Sequence, residues 1–170
     1  ARSPRTPTST PNPLAAAPAS TQRGPFPCPA AVPAPLYPRY LRARAGTTAF
    51  QPTMFPAAPA RLGELAQQTW SAAERSNRER DGVARAFAVG LHLEGPFVNP
   101  QRAGALPPED LAEPSLQGLR EIIGPATGSG RGIRTVTLAP ELPGSSDLIA
   151  ELVRLGVRVS MGHSSATAED

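Results

Sequence analysis

Residues 86–93, Ala-Phe-Ala-Val-Gly-Leu-His-Leu, form a nearly continuous apolar run that stops at Glu94-Gly95-Pro96. Apolar side chains at both odd and even positions fit a strand covered on both faces, as in parallel sheets packed between other layers. The remaining elements repeat that theme. Thr47–Thr53 reads as a short strand ended by Pro52. From Pro59 the period changes, and Leu62, Leu65, Ala66, Thr69, Trp70 and Ala73 recur at helical intervals. Trp70 is expected in the core, and the polar stretch from Glu74 to Asp81 closes this helix. A second helix is predicted from Ser115, with Leu116, Leu119, Ile122 and Ile123 on one face and Gly124 as its stop. Ile133–Leu138 reads as the third strand. Ser146 is expected to cap a third helix with Ile149, Leu152, Val153 and, at its end, Leu155 inward; Gly156 ends it. Val157–Met161 is the fourth strand, with His163 just beyond.

Strand and helix therefore alternate four strands deep, which argues for an α/β fold with a parallel sheet and right-handed crossovers. Periodicity does not separate an open doubly wound sheet from part of a closed barrel. A complete (β/α)8 barrel needs about 250 residues, and this chain has 170.

Residues 1–45 stand apart. They hold 11 of the 22 prolines, six arginines and no acid, and they are expected to be a disordered or linker segment. The rest carries 11 arginines against all 14 acids, a net of −3, so the formal +3 arises from the first segment alone. The high pI is thus no argument for a nucleic-acid-binding domain. The lone Cys28 permits no internal disulfide and is expected to be a spectator. No apolar run reaches the length of a membrane span, and prolines interrupt every candidate signal core. A soluble, reducing, cytoplasmic setting is the expectation.

Glu94 and His163 each follow the C-terminal end of a strand. Parallel α/β folds assemble their sites at that edge. A carboxylate and an imidazole brought together there suit a divalent metal such as zinc, although catalytic zinc usually takes three protein ligands. The competing reading is a structural acid and an unrelated loop histidine. His92 lies two residues before Glu94 and so on the same strand face, where a hydrogen-bonded core histidine is the favoured reading. Glu141, in Ala139-Pro140-Glu141, repeats the strand-then-acid pattern, and a helix-entry role is favoured over support of the site. Gly128-Ser129-Gly130-Arg131-Gly132 precedes a strand and opens no helix, so it reads as a connector and not a phosphate loop.

The segment Gly90-Leu91-His92-Leu93-Glu94-Gly95-Pro96-Phe97-Val98-Asn99-Pro100 closely resembles the most distinctive motif of the N-acetylglucosamine-6-phosphate deacetylases. Gly46-Thr47-Thr48 through Pro52-Thr53, Val136–Glu141 and Val159–Ser164 resemble that family's second, fourth and fifth barrel strands in order and spacing. The resemblance covers residues 46–170 and implies strands two to five of an amidohydrolase (β/α)8 barrel, a partial domain. It implies release of acetate from N-acetyl-D-glucosamine 6-phosphate, giving glucosamine 6-phosphate, at a divalent metal, zinc foremost. Glu94 would be the metal-binding glutamate and His163 the first metal-binding histidine. The substrate-contact pair would fall on Ala105 and Leu106, where the family usually has histidine at the second position. The second metal histidine, a phosphate-binding arginine and the catalytic aspartate would lie beyond Asp170. The resemblance further implies an amino-sugar phosphate as the small-molecule partner and a homodimer for full-length members; from hydropathy and charge, no membrane partner is expected and a nucleic-acid partner is disfavoured. The alternative is a non-catalytic fragment from a degraded or misannotated gene, without a stable fold.

Overall fold

A computed structural model describes residues 46–78, 86–124 and 132–168. The Pro/Arg-rich segment with Cys28 and the stretch 128–131 lie outside these residues.

Two short strands, β1 (Ala49–Phe50) and β2 (Thr53–Met54), stand where one strand ended by proline was expected. Pro52 has no N–H to donate, which interrupts the ladder, yet its carbonyl still accepts from His92 N at 3.0 Å and the chain runs on as β2. The apolar run divides likewise into β3 (Phe87–Ala88) and β4 (Leu91–Glu94). The break falls at Gly90, whose φ of 151° few side-chain-bearing residues adopt. A Cβ there would lie 2.1 Å from Cγ of Arg134. Arg134 is the extra residue of a bulge: Leu91 pairs with Ile133, but His92 pairs with Thr135.

β1 pairs with β3, while β2, β4, β5 (Ile133–Leu138) and β6 (Arg158–Met161) form one parallel sheet in that order. Sequential order without reversal differs from the doubly wound alternative, in which the order switches direction. The helices are α1 (Pro59–Arg78), α2 (Leu116–Ile123) and α3 (Ser145–Arg154).

One core joins these helices to the sheet. Leu62, Ala66, Trp70 and Ala73 of α1 meet Leu91 and Leu93 of β4, Leu119 and Ile122 of α2, Val136 and Leu138 of β5, and Leu148 and Leu152 of α3. Trp70 is in the core, as its spacing predicted. The expectation of coverage on both faces does not hold among the described residues. Leu91 and Leu93 are buried, His92 and Glu94 only partly so, and Phe87 and Val89 are 47% and 49% exposed. The helical layer covers one side, and among the described residues the side carrying Glu94 has no such layer.

Local signals mostly acted as anticipated. Ser115 Oγ accepts from Gly118 N at 3.1 Å and starts α2; Gly124, at φ 73°, ends it. α3 departs from expectation at both ends of its reading. Gly144, with φ 87°, occupies the cap position instead of Ser146. The neighbouring Ser145 is buried and donates to the Ala139 carbonyl at 2.7 Å. Val153, expected inward, is 65% exposed. Leu148 and Leu152 fix the buried stripe, and Val153 lies one residue, about 100°, away from it. At the end of α1, the Asn77 amide donates to Ala88 O and accepts from Ala88 N, at 2.8 and 3.2 Å, in the manner of a neighbouring strand.

Candidate metal centre

Parallel pairing brings the C-terminal ends of β4, β5 and β6 to one rim. Glu94 is opposite Thr137, and Thr137 is opposite Ser160. Glu94 closes β4, Glu141 lies in the turn after β5, and His163 follows β6 by two residues.

The chain leaves β4 through a cis Gly95–Pro96 peptide. Phe97 then enters the core with no exposed surface, and its carbonyl accepts from Ala139 N at 3.0 Å. Asn99 N donates to the His163 carbonyl at 3.0 Å. Asn99 Oδ1 accepts from Gln101 N, capping a short 3-10 turn over Pro100–Arg102. This turn delivers the Arg102 carbonyl to His163 Nδ1 at 3.0 Å. On its other side, His163 Nε2 is 3.0 Å from Glu94 Oε1.

The sequence-predicted pair is thus brought together. The two side chains keep 24% and 29% of their surface and are only partly buried. Both partners of the imidazole are acceptors, so a ring that satisfies both donates from both nitrogens, which only the protonated form can do. The hydrogen bond to Glu94 raises the His163 pKa above its ordinary value, against the opposing effect of partial burial, and the Arg102 carbonyl adds to the rise. A histidine that gives Nδ1–H to a backbone carbonyl has its Nε2 lone pair directed outward once that nitrogen is deprotonated, the usual arrangement of a metal-ligating imidazole. His163 and Glu94 therefore fit as two ligands of a divalent cation. Among the described residues, no group of three His, Cys, Asp or Glu side chains is positioned to hold a metal.

His163 is also the one non-glycine residue among those described with positive φ, 51°. Its carbonyl is held by Asn99 N, and the two residues that follow it are held by Glu141. Glu141 Oε1 accepts from Asn99 Nδ2 at 2.9 Å and from Ser165 N at 2.7 Å, and Oε2 accepts from Ser164 Oγ at 2.6 Å. Burial pushes the Glu141 carboxyl upward. The bonds from Ser164, Ser165 and Asn99 outweigh it and lower its pKa to about 2. This corrects the favoured expectation of a helix-entry residue: α3 begins only at Ser145, and Glu141 instead ties the loop after β4 to the loop after β6. Arg102 Nε adds a further tie to Ser165 Oγ at 2.7 Å. Sequence reasoning assigned no role to Asn99, Arg102 or Ser164. The available signal was Asn99-Pro100, a capping residue before a proline, directly after the strand motif.

His92 shares the strand face of Glu94 but has its own partners, Thr53 Oγ1 at Nδ1 (3.0 Å) and Thr137 Oγ1 at Nε2 (2.8 Å). Burial lowers its pKa, with Glu94 acting in the opposite sense. It is hydrogen-bonded, as its position predicted, but only partly buried and outside the core. Ala105 is exposed beside the turn, whereas the Leu106 side chain is buried with Val98 and Ala103. No helix among the described residues is long and apolar enough to cross a membrane.

No family model matches the chain. Individual proteins do. An N-acetylglucosamine-6-phosphate deacetylase from Caenorhabditis elegans is 38% identical over 122 residues, which is 71% of this chain and 27% of that protein. An N-acetylgalactosamine-6-phosphate deacetylase from Escherichia coli O157:H7 is 36% identical over 126 residues, 74% of this chain and 31% of that protein. Among solved structures, a mutant N-acetyl-D-glucosamine-6-phosphate deacetylase from Mycobacterium smegmatis in complex with N-acetyl-D-glucosamine-6-phosphate aligns with a TM-score of 0.62 and 27% identity, over 76% of this chain and 31% of the other. The chain thus spans less than a third of the length of these curated relatives, 27% of the one and 31% of the other. Over that share of their length, its sequence and its parallel α/β fold make it a relative of the N-acetylglucosamine-6-phosphate deacetylases.

Proposed function

We propose that this chain carries part of the active site of a metal-dependent deacetylase acting on N-acetyl-D-glucosamine 6-phosphate. The 3.0 Å approach of Glu94 and His163 at the strand-end rim carries the reading. Glu94 Oε1 and His163 Nε2 would hold one divalent cation, with zinc the first choice for a carboxylate and imidazole donor set. When bound, such a cation supplies Lewis acidity, polarising an acetamide carbonyl and lowering the pKa of water.

The chain's own residues prepare that role. Glu94 ends a strand and is therefore carried on a rigid element. The Arg102 carbonyl holds His163 Nδ1–H and fixes the ring's tautomer once Nε2 has lost its proton. Cation binding must displace that proton, so affinity would rise with pH through the His163 pKa. Ala105, which the family resemblance names as a substrate contact, is exposed and so open to a sugar phosphate. At position 106 the side chain is turned into the Val98 cluster, so any contact there would come from the backbone. The sequential parallel order of β2, β4, β5 and β6 supports the larger proposal of a (β/α)8 barrel.

The described residues offer two of the three protein ligands usual for catalytic zinc. Incubated with zinc and N-acetyl-D-glucosamine 6-phosphate, it should release negligible acetate. Residues 46–168 substituted into the matching region of the Mycobacterium smegmatis deacetylase should yield an active chimera that Glu94→Gln inactivates. A folded chimera indifferent to that substitution would overturn the assignment.

One observation favours a second reading, a non-catalytic piece without a stable fold. Phe55, Val89 and Met161 leave 57%, 49% and 74% of their surface exposed, and such surface promotes association. A broad, non-cooperative melt would favour it. A sharp transition in a monomer would count against it.

A further inference from the structure

We infer that Glu141 is a positioning residue for the candidate metal centre: its carboxylate joins the loops after β4 and β6 and so holds His163 in the conformation that aims Nε2 at Glu94. The inference deepens the proposed metal reading and rests on it for its functional meaning.

The argument begins with hydrogen-bonding capacity. All three groups facing Glu141 are donors. Asn99 Nδ2 and the Ser165 amide have no acceptor capacity. Ser164 Oγ already accepts from Ala166 N at 2.8 Å, so its hydroxyl hydrogen is directed to Glu141. Three donors converging on two oxygens call for an acceptor-only group, which is an ionised carboxylate. The glutamine amide, nearly identical in shape, would turn an NH2 towards at least one donor. The depressed pKa of Glu141 agrees with this geometry.

Position supplies the second step. Ser164 and Ser165 immediately follow His163, and Asn99 donates its amide to the His163 carbonyl. His163 is therefore bracketed by partners of one carboxylate, while its own backbone is in the left-handed region that a β-carbon disfavours. Such a conformation persists only where surrounding contacts impose it. Without Glu141, the loop is free to relax to a conformation in which the imidazole no longer faces Glu94. Glu141 itself is not required to touch a cation.

The test uses the 170-residue chain, cobalt(II) as the probe, and Glu141→Gln beside Ser164→Ala. Two readouts are taken: visible absorption of bound cobalt(II), and hydrogen exchange of the Asn99 amide without metal. Glu141→Gln should weaken cobalt(II) binding by roughly 10- to 100-fold. It should also speed Asn99 exchange relative to amides of β5, although Asn99 N–H touches His163 and not Glu141. Ser164→Ala removes one of three bonds and should produce a smaller change in the same direction. Unchanged Asn99 exchange in Glu141→Gln overturns the inference, whatever cobalt(II) does. Cobalt(II) binding insensitive to Glu94→Gln sinks the metal reading instead, and Asn99 exchange then still decides whether Glu141 positions His163.

Discussion

His163 Nε2 lies 3.0 Å from Glu94 Oε1 although 69 residues separate the two in sequence. The sheet explains the approach: Glu94 ends β4, β5 intervenes, and His163 follows β6 on the same rim. The Arg102 carbonyl on Nδ1 and the carboxylate on Nε2 leave the ring no neutral tautomer that satisfies both.

The chain has two histidines, and their surroundings move them apart. His163 should titrate above its ordinary value of 6.5, chiefly through Glu94, and His92 below it, chiefly through burial. NMR titration of the two ring Cε1–H signals in metal-free protein checks this. Coincident titrations, or the reverse order, would contradict the described hydrogen bonding.

Glu141 sets an acid limit. Its folded pKa, about 2, is below the ordinary 4.5, so its contribution to stability is present above 4.5 and is lost as pH falls towards about 2. Denaturant midpoints of the parent should exceed those of Glu141→Gln by a constant margin above pH 4.5. The margin should narrow progressively below it. A difference independent of pH across that window would mean that the carboxylate's charge is not what the loop uses.

Trp70 packs so closely over Gly132 that a Cβ at 132 would lie 2.1 Å from the indole Cδ2. Gly132 also has φ 71°. Gly132→Ala should therefore cost about 1–3 kcal/mol by overpacking and backbone strain. Thermal melting followed by the fluorescence of Trp70, the single tryptophan, measures it. A variant as stable as the parent would show that the α1–β5 contact is looser than described.

The order of elements was legible because each carries its own local signal: the run ending at Glu94, the Ser115 and Gly124 caps, the stripe of Leu62, Ala66, Trp70 and Ala73. Glu94 and His163 were legible because strand-end position alone directs a side chain to the rim. The breaks at Pro52 and Gly90 were less so. Each depends on a neighbouring strand, through a carbonyl that still accepts at Pro52 and through the bulge residue Arg134 at Gly90. Glu141 presented the same strand-then-acid pattern as Glu94. Its role lies in partners 42, 23 and 24 residues away, which no local pattern encodes.

Zinc titration by calorimetry, in parallel on the parent chain, Glu94→Gln and His163→Ala, tests the shared-cation claim most directly. The parent should bind one zinc and, below the His163 pKa, release a proton on doing so, while both variants bind far more weakly. Equal zinc affinity in all three chains, or binding without proton release at that pH, would contradict it.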